Sequence, residues 1–367
     1  MRLNVPQPLL AEHVQIAAKA APVKNMNTVL EGILFQSDGE TMTLTATNLD
    51  FGIRTYFSAP NQEQGAVVLP AKSVEIIRKL PGESVLLSMN PENFLTEIKS
   101  GQSEFQLYGL SSDEYPSFPD LSPETAQFVF TIKAGELRRA LRQTLFAASH
   151  DEGKPAFTGL LFTLHENKLT LSSSDTFRLA TTGCRVQNAG ISGDFLVPSK
   201  NLQEVIRILT EDEETVEIMV SKNQFLLSCK NIKISSRLLD ENFPNIDRVI
   251  PKEFCGRATV DVDALLHAVE RAALLSEGVN HVVRLSIGEE ELVIRAASKH
   301  GKTQEQIPVE LSGEGLEVSL NSRFILDMLK INEGDQCIIE MTSPNKPCIL
   351  RDSLYNEYLY LVLPIKI

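Results

Sequence analysis

The chain has 367 residues, 43% of them apolar, and a formal net charge of −13; that length implies two or three cores, and that composition excludes extensive disorder. No apolar run approaches the roughly 18 residues of a membrane-spanning helix, and the acidic balance argues at first sight against a nucleic-acid partner. Five scattered cysteines (Cys184, Cys229, Cys255, Cys337, Cys348), never in CxxC spacing, read as reduced cytosolic thiols rather than a disulfide framework or a zinc site.

The opening, MRLNVPQPLLAEHVQ, is interrupted by Pro6, Pro8 and Glu12 and does not read as a secretion signal. An amphipathic helix is expected over Pro8–Ala20. Strands follow, then Val67-Val68-Leu69 as a strand running into a second helix at Ala71–Leu80, then the turn and strand PGESVLLSM. The same order returns twice. Helices are expected at Ala134–Ser149 and Ser199–Leu209, and again at Val262–Leu275 and Ser322–Ile331. Val67–Ser73 is echoed by Phe195–Asn201 and by Val318–Phe324, and Leu30–Phe35 by Phe157–Phe162. Leu169–Ala180 (LTLSSSDTFRLA) matches Met42–Ile53 (MTLTATNLDFGI) and Leu292–Lys302, and Tyr115-Pro116 matches Phe243-Pro244. Ser37-Asp38-Gly39, His165-Glu166-Asn167 and Gly288-Glu289-Glu290 read as hairpin turns. This repeat predicts an α+β chain of three tandem pseudo-repeated domains, 1–122, 123–252 and 253–367, each with two helices on an antiparallel sheet.

Charge is segregated by element. The six expected helices hold twelve basic residues (Lys19, Lys72, Arg78, Lys79, Arg138, Arg139, Arg142, Lys200, Arg207, Arg271, Arg323, Lys330) against seven acidic ones, a net of +5, so the remainder carries −18. Helices sharing one surface would make it basic on an acidic body. With no tryptophan in the chain and no aromatic interleaving, such a surface suits sequence-blind contact with duplex phosphates rather than stacking on single strands.

No P-loop, GxGxxG, HExxH or GxSxG pattern occurs, so no catalytic residue, metal or cofactor is expected. A hydrolase built on Ser173, His150 and Asp175 can be sketched, but six histidines and many serines make such sketches cheap. Glu211–Glu214 could hold a hard cation, although a solvated loop suits it better. A peptide-binding scaffold is the other alternative.

Several motifs then resemble one family, over the whole length. Ser174-Asp175-Thr176-Phe177-Arg178-Leu179-Ala180 is similar to the TDGHRLA of the β sliding clamp (beta subunit) of bacterial DNA polymerase III, a processivity factor of DNA replication. Ser236–Asp240 with Phe243-Pro244 and Arg248–Pro251, Met341–Pro344 with Pro347, and Tyr360–Ile367 resemble other segments of it. The resemblance implies a DNA clamp fold: a head-to-tail homodimer closing a ring of six domains, helices lining the hole, sheets outside, residing in the cytoplasm on the nucleoid. It implies encircled duplex DNA faced by Lys24, Lys72, Arg78, Lys79, Arg138, Arg139, Arg142, Lys200, Arg207 and Arg323. It implies a pocket for the QL-type or QxxLF-type peptides of the polymerase catalytic subunit, clamp loader and other DNA-processing proteins. That pocket would use Phe157, Ser174, Thr176, Phe177, Arg178, Leu179, Pro244, Arg248, Val249, Pro347, Leu361, Leu363, Pro364 and Ile365, the polar members orienting the peptide. The dimer interface carries over to Phe105 and Leu107 at one end and Leu274 and Leu275 at the other. Glu104 facing Lys299 or Lys302 would reverse the ion-pair polarity of some relatives.

Overall fold

The computed structural model describes residues 1–60, 63–187, 190–276, 278 and 280–366; Ile367, the last residue of the closing motif, lies outside them. Six α-helices are seen: α1 (Gln7–Ala18), α2 (Lys72–Arg78), α3 (Ala134–Leu145), α4 (Ser199–Ile208), α5 (Val262–Ala273) and α6 (Ser322–Leu329). All six expected helices are present, each shorter than its amphipathic pattern. Among the described residues no helix is long and apolar enough to cross a membrane.

The chain forms two compact units, one built on Met1–Gly135 with Glu204–Leu238, the other on Glu136–Val186, Gly190–Gln203 and the segment from Leu239 onward. In the first, strands Arg2–Pro6, Ser84–Met89, Leu95–Ser100 and Ser103–Tyr108 make one sheet in that order. Its second sheet has eight strands. Strand Phe51–Ser58 of the first repeat pairs there with Ile232–Arg237 of the middle repeat, in the register Ile234 to Ile53. The second unit does the same: Arg178–Arg185 pairs with the closing strand Leu359–Val362, Leu179 opposite Leu361, inside a nine-stranded sheet. Its other sheet ends on Gly301–Pro308. Main-chain ladders therefore run through the joints between repeats, and the middle repeat gives strands to both units.

The helices dock by the faces their sequences promise. On α1, Leu10, Val14 and Ala17 are fully buried; on α5, Leu265, Ala268, Val269 and Ala272 are, the three-and-four spacing of one helical face. Asp261 and Asn321 cap α5 and α6 by accepting from Ala264 N (2.8 Å) and Arg323 N (2.9 Å), satisfying amides that have no partner in the first turn.

His13 of α1 is a buried exception, only 3% exposed. Asn231 donates to its Nε2 at 3.3 Å, leaving Nδ1 to carry the proton toward Thr55 Oγ1 at 2.5 Å; the Phe57 ring covers it at 4.7 Å. Burial lowers its pKa below the ordinary 6.5, against the opposing charge of Glu12. The unfolded chain then binds more protons than the folded one, so this contribution is complete above the unfolded value and is lost as pH falls through it. The melting-temperature advantage of the natural chain over His13→Gln should narrow between about pH 7.5 and 5.5. A difference that stays flat or widens in acid would contradict this.

Candidate functional site

Ser174–Arg178 is the turn joining two paired strands, Lys168–Ser174 and Arg178–Arg185. Small polar residues are needed there because the backbone bonds to its own side chains. Asp175 Oδ1 accepts from Phe177 N (2.9 Å) and Arg178 N (3.0 Å). Ser174 Oγ accepts from Thr176 N (3.1 Å) and donates to Arg178 O (2.7 Å). The turn puts Thr176 at φ 81°, left-handed backbone that a β-branched residue occupies only under strain.

The first repeat builds the same turn atom for atom. Thr47 Oγ1 accepts from Leu49 N and donates to Phe51 O, Asn48 Oδ1 accepts from Asp50 N and Phe51 N, and Leu49 sits at φ 78°. The neighbouring strand closes it alike, Arg237 N to Asp50 O (2.8 Å) in one, Leu363 N to Phe177 O (2.9 Å) in the other. What differs is the chain that leaves each repeat. Tyr115 is buried beside Val29, Leu30 and Val68, its hydroxyl donating to Thr45 O at 3.2 Å. Phe243, its counterpart, is only half-buried and tilts against Phe157 at 5.8 Å.

An open groove results. It encloses about 580 Å³ of empty space, part of it open to solvent, and is lined by Phe157, Ser174, Thr176, Phe177, Arg178, Leu179, Phe243, Pro244, Asn245, Ile246, Val249, Leu361 and Leu363. Ten of the fourteen residues expected from the resemblance are therefore brought together from four separate stretches of chain. Arg248, Pro347, Pro364 and Ile365 do not line it; Ile365 N is bonded to Ser319 O at 2.8 Å. Phe243, Asn245 and Ile246 are additions. The repeat match of Phe243 to Tyr115 was a signal for the first; nothing in the sequence singled out the other two.

Two of the polar members, Ser174 and Arg178, are engaged within the protein itself. Ser174 is spent within the turn. Arg178 is only 12% exposed at its side chain: Nε bonds Asp175 Oδ2 (2.9 Å), Nη1 bonds Asp327 Oδ2 (2.5 Å) and Nη2 bonds the Phe146 carbonyl (2.8 Å). Its guanidinium also lies 4.4 Å over the Phe324 ring. Burial works against this charge, but Tyr360, Asp327 and Asp175 outweigh it and hold the pKa above its ordinary value. Ser173, fully buried, donates to Thr144 O at 2.5 Å. Ser173 and Arg178 thus satisfy carbonyls at the end of α3, where the helix dipole favours a cation. With Ser173 and Asp175 so engaged and His150 exposed, these three form no catalytic group.

Replacing Thr176 by Gly should stabilise the chain. Relief of a left-handed cost of roughly 1–2 kcal/mol exceeds the roughly 0.4–1 kcal/mol of extra unfolded-state freedom. A rise of about 1–3 °C in melting temperature is expected, and a fall would contradict a strained turn.

The basic helix residues divide into two groups. Lys72 pairs with Glu75 (2.9 Å), Arg207 with Glu204, and Arg139 stacks over Tyr355 at 4.4 Å while donating to Gln143. Arg142, Lys200 and Arg323 are exposed and make no ion pair among the described residues; Lys24, Arg78 and Lys79 are exposed as well, and Arg138 is half-buried. The run Glu211–Glu214 is matched by lysines: Lys230 bonds Glu211 (2.7 Å) and Glu214 (3.0 Å), and Lys133 sits 3.6 Å from Glu213. At the sheet edges, Phe105 and Leu107 lie on Ser103–Tyr108, with Phe105 exposed, and Leu274 is exposed at the end of α5 beside half-buried Leu275. Glu104 pairs with Lys99 of its own sheet at 3.3 Å. Lys299 is exposed at a hairpin tip and Lys302 on the edge strand Gly301–Pro308.

Repeated α+β modules joined through continuous sheets, with open strand edges and an apolar groove, define a clamp-type scaffold. Profiles of the N-terminal, central and C-terminal domains of the DNA polymerase III beta subunit match residues 1–119, 131–245 and 247–366. The beta sliding clamp of Staphylococcus aureus (strain Mu50) is 32% identical over 95% of this chain and 94% of its own length; that of Halalkalibacterium halodurans is 32% identical with both chains fully covered. The crystal structure of the Bacillus subtilis DNA polymerase sliding clamp superposes with a TM-score of 0.94 at 30% identity, covering 100% of this chain and 99% of that one. The chain belongs to the β sliding clamp family, the non-catalytic beta subunit of DNA polymerase III.

Proposed function

We propose that the chain is a clamp that encircles duplex DNA as a head-to-tail homodimer and tethers the replicative polymerase, the clamp loader and other DNA-processing proteins by their QL-type or QxxLF-type peptides. Full-length similarity to sliding clamps supports the tethering role, and the apolar groove at Phe157, Leu179, Val249, Leu361 and Leu363 carries the peptide reading. Domains of 1–122, 123–252 and 253–367 fit the repeat. The working compartment is the cytoplasm, at the nucleoid. Exposed Lys24, Arg78, Lys79, Arg142, Lys200 and Arg323, with Lys72, Arg138, Arg139 and Arg207, would face the phosphates. Arg139, held by Tyr355 and Gln143, contributes least. Diffuse attraction of this kind is screened within about 8 Å at physiological salt, so retention comes from the topological link and not from tight binding.

The open strands Ser103–Tyr108 and Gly301–Pro308 suit edge-to-edge pairing between two copies, which would cover Phe105, Leu107, Leu274 and Leu275. Glu104 would then share its carboxylate between Lys99 and an incoming Lys299 or Lys302, a contact that sets register more than strength. Two measurements test the proposal. The particle in solution should weigh twice the 40.7 kDa of the chain. Once loaded on a nicked circle it should stay bound, and it should dissociate when the circle is linearised. A monomer, or equal loss from circle and linear DNA, would overturn it.

A further inference from the structure

Behind the groove, three segments far apart in sequence meet on one side chain. Arg178 lines the groove, and its guanidinium bonds Asp327 of α6 and the Phe146 carbonyl that follows α3, neither of which lines it. Asp327 is not among the lining residues, and its side chain is 41% exposed. Asp175 is bonded by the Arg178 guanidinium and by two amides of the turn at once. The turn that carries Phe177 and Thr176 is thus held at one end by a charge whose far side is gripped by α6. Phe177 is 60% exposed and has its carbonyl bonded to Leu363 N, so the main chain joins that turn to the Leu363 wall of the groove. Thr176, at φ 81°, adds a strained residue that relaxes if the grip is released.

We infer that Asp327 is a positioning residue for the peptide groove: by fixing the Arg178 guanidinium it sets the wall formed by Thr176, Phe177 and Leu363 in the shape a peptide binds. This rests on the peptide reading of the groove. The pair suits the task because an arginine–carboxylate contact is directional as well as charged, and because the Phe324 ring and the carbonyl behind α3 hold the same guanidinium beside it. Losing Asp327 leaves Arg178 with Asp175 alone as a charged partner, so the carboxylate that balances the pull of the turn is gone while only the Phe146 carbonyl and the Phe324 ring remain on the far side.

The test uses the full chain, a fluorescein-labelled peptide with a Gln-x-x-Leu-Phe core, and anisotropy read well below the melting temperature. Asp327→Asn and Asp327→Ala should weaken binding about 5–20-fold, mostly through faster dissociation, while Asp327→Glu stays within about threefold of the natural chain. In an Arg178→Lys background, whose folding is checked by melting, Asp327→Asn should change affinity less than twofold, because the two act through one contact. A natural chain that binds the peptide, with Asp327→Asn binding equally well, overturns the inference and leaves the groove reading intact. Asp327→Glu as weak as Asp327→Ala, with matching losses in melting temperature, also overturns it, since the role is then merely structural. No binding by the natural chain removes the groove reading itself.

Discussion

Leu363→Asp should abolish capture of a Gln-x-x-Leu-Phe peptide, weakening it at least about 100-fold, while the melting temperature moves by no more than about 2 °C. The size follows from what the residue faces. Leu363 is 39% exposed and stands at the groove with Leu179, Val249 and Leu361, so its free surface is what an incoming leucine or phenylalanine would cover. Losing one such apolar contact costs roughly 1.5–3 kcal/mol. A carboxylate in its place must also be stripped of water when the peptide arrives, with no cation to receive it, since Arg178 is already spent on Asp175 and Asp327. About 2.7 kcal/mol, which corresponds to 100-fold, is therefore a lower estimate. Folding is spared because the bond holding Leu363 in place comes from its main-chain amide, donated to Phe177 O, and the substituted side chain meets water. Leu363→Met, of similar volume, should bind within about threefold of the natural chain. If Leu363→Asp binds the peptide within threefold, the groove is not where peptides dock.

Much of this site was legible in the sequence, and the illegible part has a common cause. Local pattern revealed the repeats and the hairpin turns, but not the turn at Ser174–Arg178, which rests on side-chain bonds to the backbone over two to four residues. It overran helix ends: α3 stops at Leu145 although the apolar pattern continues through Ala147 and Ala148, which are buried without being helical. Apolar periodicity records burial and not hydrogen bonding, so a buried stretch just past a helix looks like more helix. The family resemblance implied that the polar positions, Ser174 and Arg178 among them, would orient a peptide. Their partners include Asp327, 149 positions away, and such pairing depends on strand register and side-chain rotamer, which no local pattern encodes. The same limit hid why the turn at Ser174–Arg178 opens into a groove. Tyr115 and Phe243 occupy matching positions, but only the tyrosine's hydroxyl reaches main-chain carbonyls, Thr45 O and Gly32 O, that anchor it inside.

Glu340→Ala should lower the melting temperature of the second unit by roughly 5–10 °C. Glu340 lies on strand Gln336–Met341, whose Cys337, Ile339 and Met341 face the core. By alternation Glu340 points to the opposite face, yet it is only 1% exposed. Two arginines cover it: Arg257 Nη2 at 2.5 Å on Oε1, from the strand directly opposite, and Arg351 Nε at 2.8 Å on Oε2. Breaking a buried ion pair costs about 3–5 kcal/mol, whereas an exposed pair contributes about 0–1 kcal/mol. This group falls between them. Arg257, 60% exposed, can turn into water, but Arg351, 27% exposed, keeps a charge with too little solvent and loses its carboxylate. A cost of about 2–3 kcal/mol corresponds to that shift for a unit of this size. Glu340→Gln should lose about half as much, since the amide still accepts hydrogen bonds but no longer balances two guanidinium charges. Because the contact is shielded from solvent ions, the loss should persist in 1 M salt, where surface pairs are screened out within about 3 Å. Glu75→Gln sets the scale at the other extreme: the pair with Lys72 is 57% and 72% exposed, and its removal should shift melting by less than about 1 °C. If the two substitutions shift melting equally, or if salt erases the Glu340 effect, burial is not what makes this carboxylate matter.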